Sequence, residues 1–165
     1  LNKISVGSAF KILKELEKDK IILKKEISNA SHYKLNLDNI ETIKLCELLL
    51  LAEKRNLKKY AKLYAEDIIK FKDAEMIILF GSVLKKKDFN DVDVLFLTNK
   101  TKKVTDFCLE ISKVRTKPVV PLIMKKEDLI KAMKNKKEAI LSMIKEGVVL
   151  RGESIFVEVI KNVNS

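Results

Sequence analysis

The spacing of apolar positions divides the chain into a helical front with one alternating hairpin and a rear in which short apolar runs alternate with helical patterns. SVGSAFKILKELEKDKII opens on a candidate N-cap, Ser5 or Ser8, and its apolar residues Phe10, Ile12, Leu13 and Leu16 fall on roughly one helical face. IILKKEI and SHYKLNL alternate about the polar tip Ser28-Asn29-Ala30-Ser31, which predicts a β-hairpin. From Asp38 to about Phe71 the pattern is helical without Pro or Gly and predicts two helices broken near Asn56. Then AEMIILF reads as a buried strand ending at Gly81-Ser82, followed by a short basic helix or turn and the strand VDVLFL. A helix in VTDFCLEISKV, a strand in KPVVPLIM, helices in KKEDLIKAM and KKEAILSMIKEG, the short strand VVLRG and a closing helix in IFVEVIKNV complete the pattern. Gly147 sits where a helix C-terminal cap is expected. The order after residue 74 predicts a small α/β (α+β) domain.

Within ILFGSVLKKKDFNDVDVLFL, Asp91 and Asp93 stand at the start of an otherwise apolar strand. Residues two apart on a strand share a face, and Asp is depleted in strands because neighbouring like charges repel. A hard divalent cation would remove that conflict, since Mg²⁺ takes carboxylate oxygens. Upstream, Gly81 lets the backbone turn and approach a ligand, and the amides and hydroxyl that follow at Ser82 can cradle phosphate. A triphosphate on those amides beside a metal-binding carboxylate pair is the layout of nucleotidyl transfer.

On Gly81, Ser82, Asp91 and Asp93, set between apolar strands, residues 74 to 152 resemble the nucleotidyltransferase domain of the DNA polymerase β superfamily, particularly its small stand-alone prokaryotic members. The resemblance implies a mixed β-sheet, Mg²⁺ (or Mn²⁺) on Asp91 and Asp93 as metal ligands and catalytic residues, and a nucleoside triphosphate, with ATP the expected one, on Gly81 and Ser82. Lys85, Lys86 and Lys87 would be secondary phosphate contacts. Two departures stand out. The segment VLKKKDFN is about two residues short and lacks the glycine usual there, and the third carboxylate of active members maps near Val120 or Pro121, neither of them acidic. Catalysis would then be slow, or a nearby acid such as Asp88 would substitute.

SVGSAFKILKELEKDKIILKKEISNASHYKLNL resembles the second half of a winged helix-turn-helix, a recognition helix followed by a two-stranded wing. That resemblance implies duplex DNA as a partner, with Ser5, Ser8, Lys11 and Lys14 on the helix and Lys24 and Lys25 on the wing as contacts. Because the two helices that precede a recognition helix are not seen, the sequence is expected either to be a fragment of a longer protein or to pack its front differently. The expected organisation is a partial winged helix-turn-helix at 1–37, linking helices at 38–72 and the nucleotidyltransferase-like domain at 73–165.

Charge and composition narrow the partners. Thirty-four Lys and Arg against 23 Asp and Glu give a formal charge of +11, and the excess is spread over the chain, 15 against 10 through residue 70 and 19 against 13 after it. Such a field favours a polyanion or a phosphorylated ligand, although a high content of Lys, Ile and Glu without Trp also fits a surface rich in ion pairs. The longest apolar run, LCELLLLA, is interrupted by Glu47 and falls short of the ~20 residues of a membrane span. No signal-peptide pattern opens the sequence, and Cys46 and Cys108 lack metal-site spacing, so a cytoplasmic protein with reduced thiols is expected. His32 is the only histidine, so a histidine-based catalytic scheme has one candidate, and it lies in the predicted hairpin. Three functions compete: a nucleotidyltransferase acting on a hydroxyl of a protein or other acceptor, a catalytically weak DNA-binding regulator, and a toxin-antitoxin type partner protein.

Overall fold

The computed structural model describes residues 4–85 and 88–164, and the chain divides into two units, residues 1–46 and 47–165. In the first unit, α1 (Val6–Lys18) starts at Ser5, whose hydroxyl accepts the Ser8 amide at 3.1 Å. That settles the cap on Ser5. β1 (Ile22–Ile27) and β2 (Ala30–Leu35) pair antiparallel, from Ile22↔Leu35 to Ile27↔Ala30. The turn is therefore shorter than the four-residue tip expected from the sequence, and Ser28 takes φ 54° to close it. Ile21 and Ile22 are buried, and the buried Thr42 donates its hydroxyl to Ile21 O at 3.3 Å. Along α1 nothing is buried, and Val6, Phe10 and Ile12 stay exposed. α2 (Ile40–Arg55) carries the division between the units.

The second unit is built on a four-stranded mixed sheet in the order β5-β4-β3-β6. β3 (Met76–Phe80) runs antiparallel to β4 (Val92–Leu97) and to β6 (Val148–Arg151), and β4 is parallel to β5 (Val119–Met124). A parallel pair needs a crossover, here α4 (Thr101–Val114). Strand alternation sends Ile77, Leu79, Val94 and Phe96 to one face, against Tyr64 and Ile68 of α3 (Lys59–Ile68) and Val104 and Cys108 of α4. Met76, Ile78, Leu95 and Leu97 go to the other, against Leu129 of α5 (Lys126–Lys134), Met143 of α6 (Glu138–Glu146) and Val159 of α7 (Glu153–Asn164). Helices on both faces explain why MIILF and VDVLFL are nearly continuous apolar runs.

Two contacts fix the layers. The Tyr64 hydroxyl, on a side chain 1% exposed, donates to Lys117 O at 2.8 Å and accepts the Lys117 amide at 2.9 Å, tying α3 to the segment that enters β5. Tyr64→Phe leaves both backbone groups without that partner and is expected to cost about 1–3 kcal/mol, read as a lower denaturation midpoint at unchanged m-value. Gly147 does cap α6, but with an ordinary φ of −79° rather than a left-handed one. Space is what demands glycine there: a Cβ would lie 2.6 Å from Met143 O and 2.7 Å from Ile78 Cγ2. The end of α6 is thereby pressed onto β3.

Candidate active site

β3 runs out at Phe80, and Gly81 turns the chain into a short 3₁₀ segment, η1 (Ser82–Leu84). Gly81 has φ 83° and ψ −158°, a region nearly closed to other residues. Across the ladder Phe80 pairs with Asp93, so the Asp93 carboxylate lies directly over the glycine, and a Cβ on Gly81 would overlap Asp93 Oδ2. The bonds of η1 begin with Leu84 N to Gly81 O (3.3 Å) and Lys85 N to Ser82 O (3.0 Å), so the Ser82 and Val83 amides precede them. Backbone donors, a serine hydroxyl and a carboxylate thus meet at one end of the sheet.

β4 begins at Val92, which places Asp93 inside the strand and Asp91 one residue before it. Both are half-buried. Burial, and then the charge of Asp91, push the Asp93 carboxyl above its ordinary value. No cationic side chain among the described residues bonds to either carboxylate. Two hard oxygen donors left mutually repelling and without a counter-charge fit a divalent cation, and they are the residues that could hold one. For the protein without metal the sign follows. A raised folded pKa favours the protonated fold, so stability is full below the ordinary carboxylate pKa and falls as pH rises through the raised one. Without metal, Asp93→Asn should melt above the parent at neutral pH, with the difference disappearing below about pH 4 in a pH series of melting curves.

The parallel register Asp93↔Val120 identifies the neighbour on the β5 side. Paired residues share a face, so Val120, 44% exposed, stands beside Asp93, and Pro121 belongs to the opposite face. Asp93 is flanked along its row by Phe80 and Val120, both apolar. Among the described residues no group of three or more acidic, His or Cys side chains could hold a metal. Asp88 therefore does not complete a triad with Asp91 and Asp93.

Lys85 is exposed, and its ammonium is bound to Glu146 at the end of α6, whose carboxyl is lowered chiefly by the hydrogen bond from Lys85. Glu146 was invisible as a site neighbour in sequence, 61 positions away. Lys86 and Lys87 lie outside the described residues. In the first unit the Ser5 hydroxyl is engaged with Ser8, Lys14 Nζ sits 4.8 Å over the Phe10 ring, and Lys24 pairs with Glu26 at 2.6 Å. Lys11 and Lys25 are exposed.

The family model described as polymerase beta, nucleotidyltransferase matches residues 62–155, more than half of the chain. The chain belongs to this nucleotidyltransferase family. Nucleotidyl transfer is the general chemistry of such domains, with a nucleoside triphosphate and a divalent metal as its requirements. The matched stretch of the nucleotidyltransferase holds Gly81, Ser82, Asp91 and Asp93, the whole sheet, and the start of α7. No curated protein matches the chain. No helix among the described residues is long and apolar enough to cross a membrane.

Proposed function

We propose that the nucleotidyltransferase binds Mg²⁺- or Mn²⁺-nucleoside triphosphate, with ATP the first to test, and transfers its nucleoside monophosphate slowly to a hydroxyl acceptor on a protein or other molecule. The observation that carries this reading is the Asp93 carboxylate lying over Gly81 and repelled by Asp91. Asp91 and Asp93 would hold the cation, which when bound neutralises phosphate charge and polarises the reacting phosphorus. Gly81 brings the backbone within reach of phosphate oxygens, and the Ser82 hydroxyl and following amides donate to them. The acceptor oxygen bonds to the α-phosphorus, the bond to pyrophosphate breaks, and the hydroxyl proton leaves to solvent. Lys85 can join the phosphate contacts only by leaving Glu146.

The test is ligand-induced stabilisation. Mg²⁺ with ATP should raise the melting temperature, by the equivalent of about 2.7 kcal/mol at a hundred times Kd. The Asp91→Asn/Asp93→Asn double variant should fold and lose that shift; an undiminished shift in it would sink the reading.

A second reading is favoured by Val120 beside Asp93. With no acid there, the site would bind nucleotide without turning it over at a useful rate, and the front unit would act as a DNA-binding regulator. The α1–hairpin arrangement and the exposed Lys11 and Lys25 support DNA contact of the winged-helix kind. Duplex binding should weaken steeply with salt, and Lys11→Ala or Lys25→Ala should each flatten the log-log slope by about 0.9. Lys24→Ala should do less, because Glu26 already neutralises it. Absence of duplex binding at low salt would remove this reading.

A further inference from the structure

Beside η1 lies an open groove of about 720 Å³ whose walls come from the start of α3 and from η1 itself. Asn56, Lys58, Lys59 and Tyr60 line one side, and Val83 and Lys85 the other. Its volume falls within the roughly 300–1,000 Å³ typical of small-molecule binding clefts. Among the described residues no acidic side chain lines it. Lys58 and Lys59 are exposed and have no ionic partner among the described residues, unlike Lys85, which is held by Glu146. Tyr60 is 50% exposed although its ring is braced edge-on by the buried Phe89, at 5.6 Å between centroids. A half-exposed aromatic ring held in place beside two uncompensated ammonium groups is a combination that solvation alone does not require. Residues 56–60 precede the stretch matched by the family model, so this wall belongs to the present chain and is not part of the family match.

We propose that this groove binds a single-stranded stretch of nucleic acid, with phosphates on Lys58 and Lys59 and a base stacked on Tyr60. Ring and cations select this partner together. An acidic peptide would satisfy the lysines but has no flat face for Tyr60, and a duplex keeps its base faces inside the stack. Single strands offer both charge and π-faces, and stacking on one aromatic tolerates any base. The side-chain amide of Asn56 can meet a base edge, and Leu57 and Val83 supply apolar lining. The +11 charge of the chain brings a polyanion to the surface, and the groove decides where it rests.

The decisive measurement is anisotropy of a fluorescein-labelled oligouridylate with the whole chain, without metal or nucleotide, across a salt series. Lys58→Ala and Lys59→Gly should each reduce the salt slope by about 0.7; glycine is chosen at 59 because that backbone has φ 51°. Tyr60→Ala should weaken binding about 5–100-fold and Tyr60→Phe should restore it. Melting curves check folding, and Tyr60→Leu serves if the alanine variant is unstable. A 4-thiouridine oligonucleotide should photocrosslink to the peptide holding Tyr60. Crosslinks confined to residues 1–46, equal displacement by a polyglutamate peptide, or wild-type affinity in Tyr60→Ala would each overturn the assignment. Asp93→Asn should leave this binding unchanged while removing stabilisation by Mg²⁺-ATP, so failure at the groove and failure at the carboxylates are separate results.

Discussion

Val120→Asp is expected to raise nucleotidyl transfer by about 10²–10⁴-fold over the parent, the range typical of gaining a positioned acid–base group. The register makes the position specific: Val120 is the direct partner of Asp93 on β5, on the same face, and already partly open to solvent. A carboxylate there would stand beside the existing pair, where it can orient an acceptor hydroxyl and take its proton. Its packing cost is small because an exposed edge-strand valine leaves little cavity. Pro121→Asp is the matched control. Its side chain would face the other side of the sheet, so no gain is expected. Release of pyrophosphate with labelled nucleotide transferred to the acceptor is the readout. Equal rates for the parent and Val120→Asp, with Mg²⁺-ATP stabilisation intact in both, would show that this position does not limit transfer.

Gly81→Ala should be the most damaging single methyl group in the nucleotidyltransferase. The backbone conformation at Gly81 costs a non-glycine residue about 1–3 kcal/mol in strain alone. Beyond strain, the new Cβ must displace the Asp93 carboxylate, which is a carboxylate the proposed site cannot do without. The expected result is a melting temperature lower by roughly 5–15 °C, together with loss of stabilisation by Mg²⁺-ATP. Gly152→Ala separates the two effects. It too carries a positive φ, 81°, and its Cβ would meet Met76 Cα at 2.8 Å, but it stands where β6 passes into α7. It should destabilise while leaving the ligand-induced shift in place.

Much of the fold was legible because burial wrote it locally. MIILF and VDVLFL are covered on both faces, and a strand so placed has no polar positions to spare, which is also why Asp93 stood out. The element order after residue 74 followed from the same contrast, and the cap of α1 was narrowed to Ser5 or Ser8, a choice that only the bond from the Ser8 amide to the Ser5 hydroxyl decides. Long-range pairings left no local mark. Whether Val120 or Pro121 neighbours Asp93 is a matter of register between strands joined through α4, and only the ladder decides it. Glu146 meets Lys85 because Gly147 lets α6 end against Ile78; in sequence that glycine looked like an ordinary helix stop. The groove drew no notice, since Lys58, Lys59 and Tyr60 fall within a stretch that the pattern marks only as helical, and η1 comes to stand opposite them only in the fold. The hairpin turn was overestimated because Ser-Asn-Ala-Ser, small and mostly polar, looks like a loop, whereas positive φ at Ser28 closes it sooner.

The two cysteines fall one in each unit, and their difference in setting makes them a pair of built-in reporters. Cys108 is 2% exposed on the inner face of α4, and burial pushes its thiol up to about 12. Alkylation requires both access and thiolate, so reagent reaches Cys108 only in the moments when α4 lifts from the sheet. Cys46 is half-buried in α2, at the last residue of the first unit. Timed labelling of the untouched sequence, resolved by mass, would therefore clock local opening at α2 and at α4 separately, with no introduced probe.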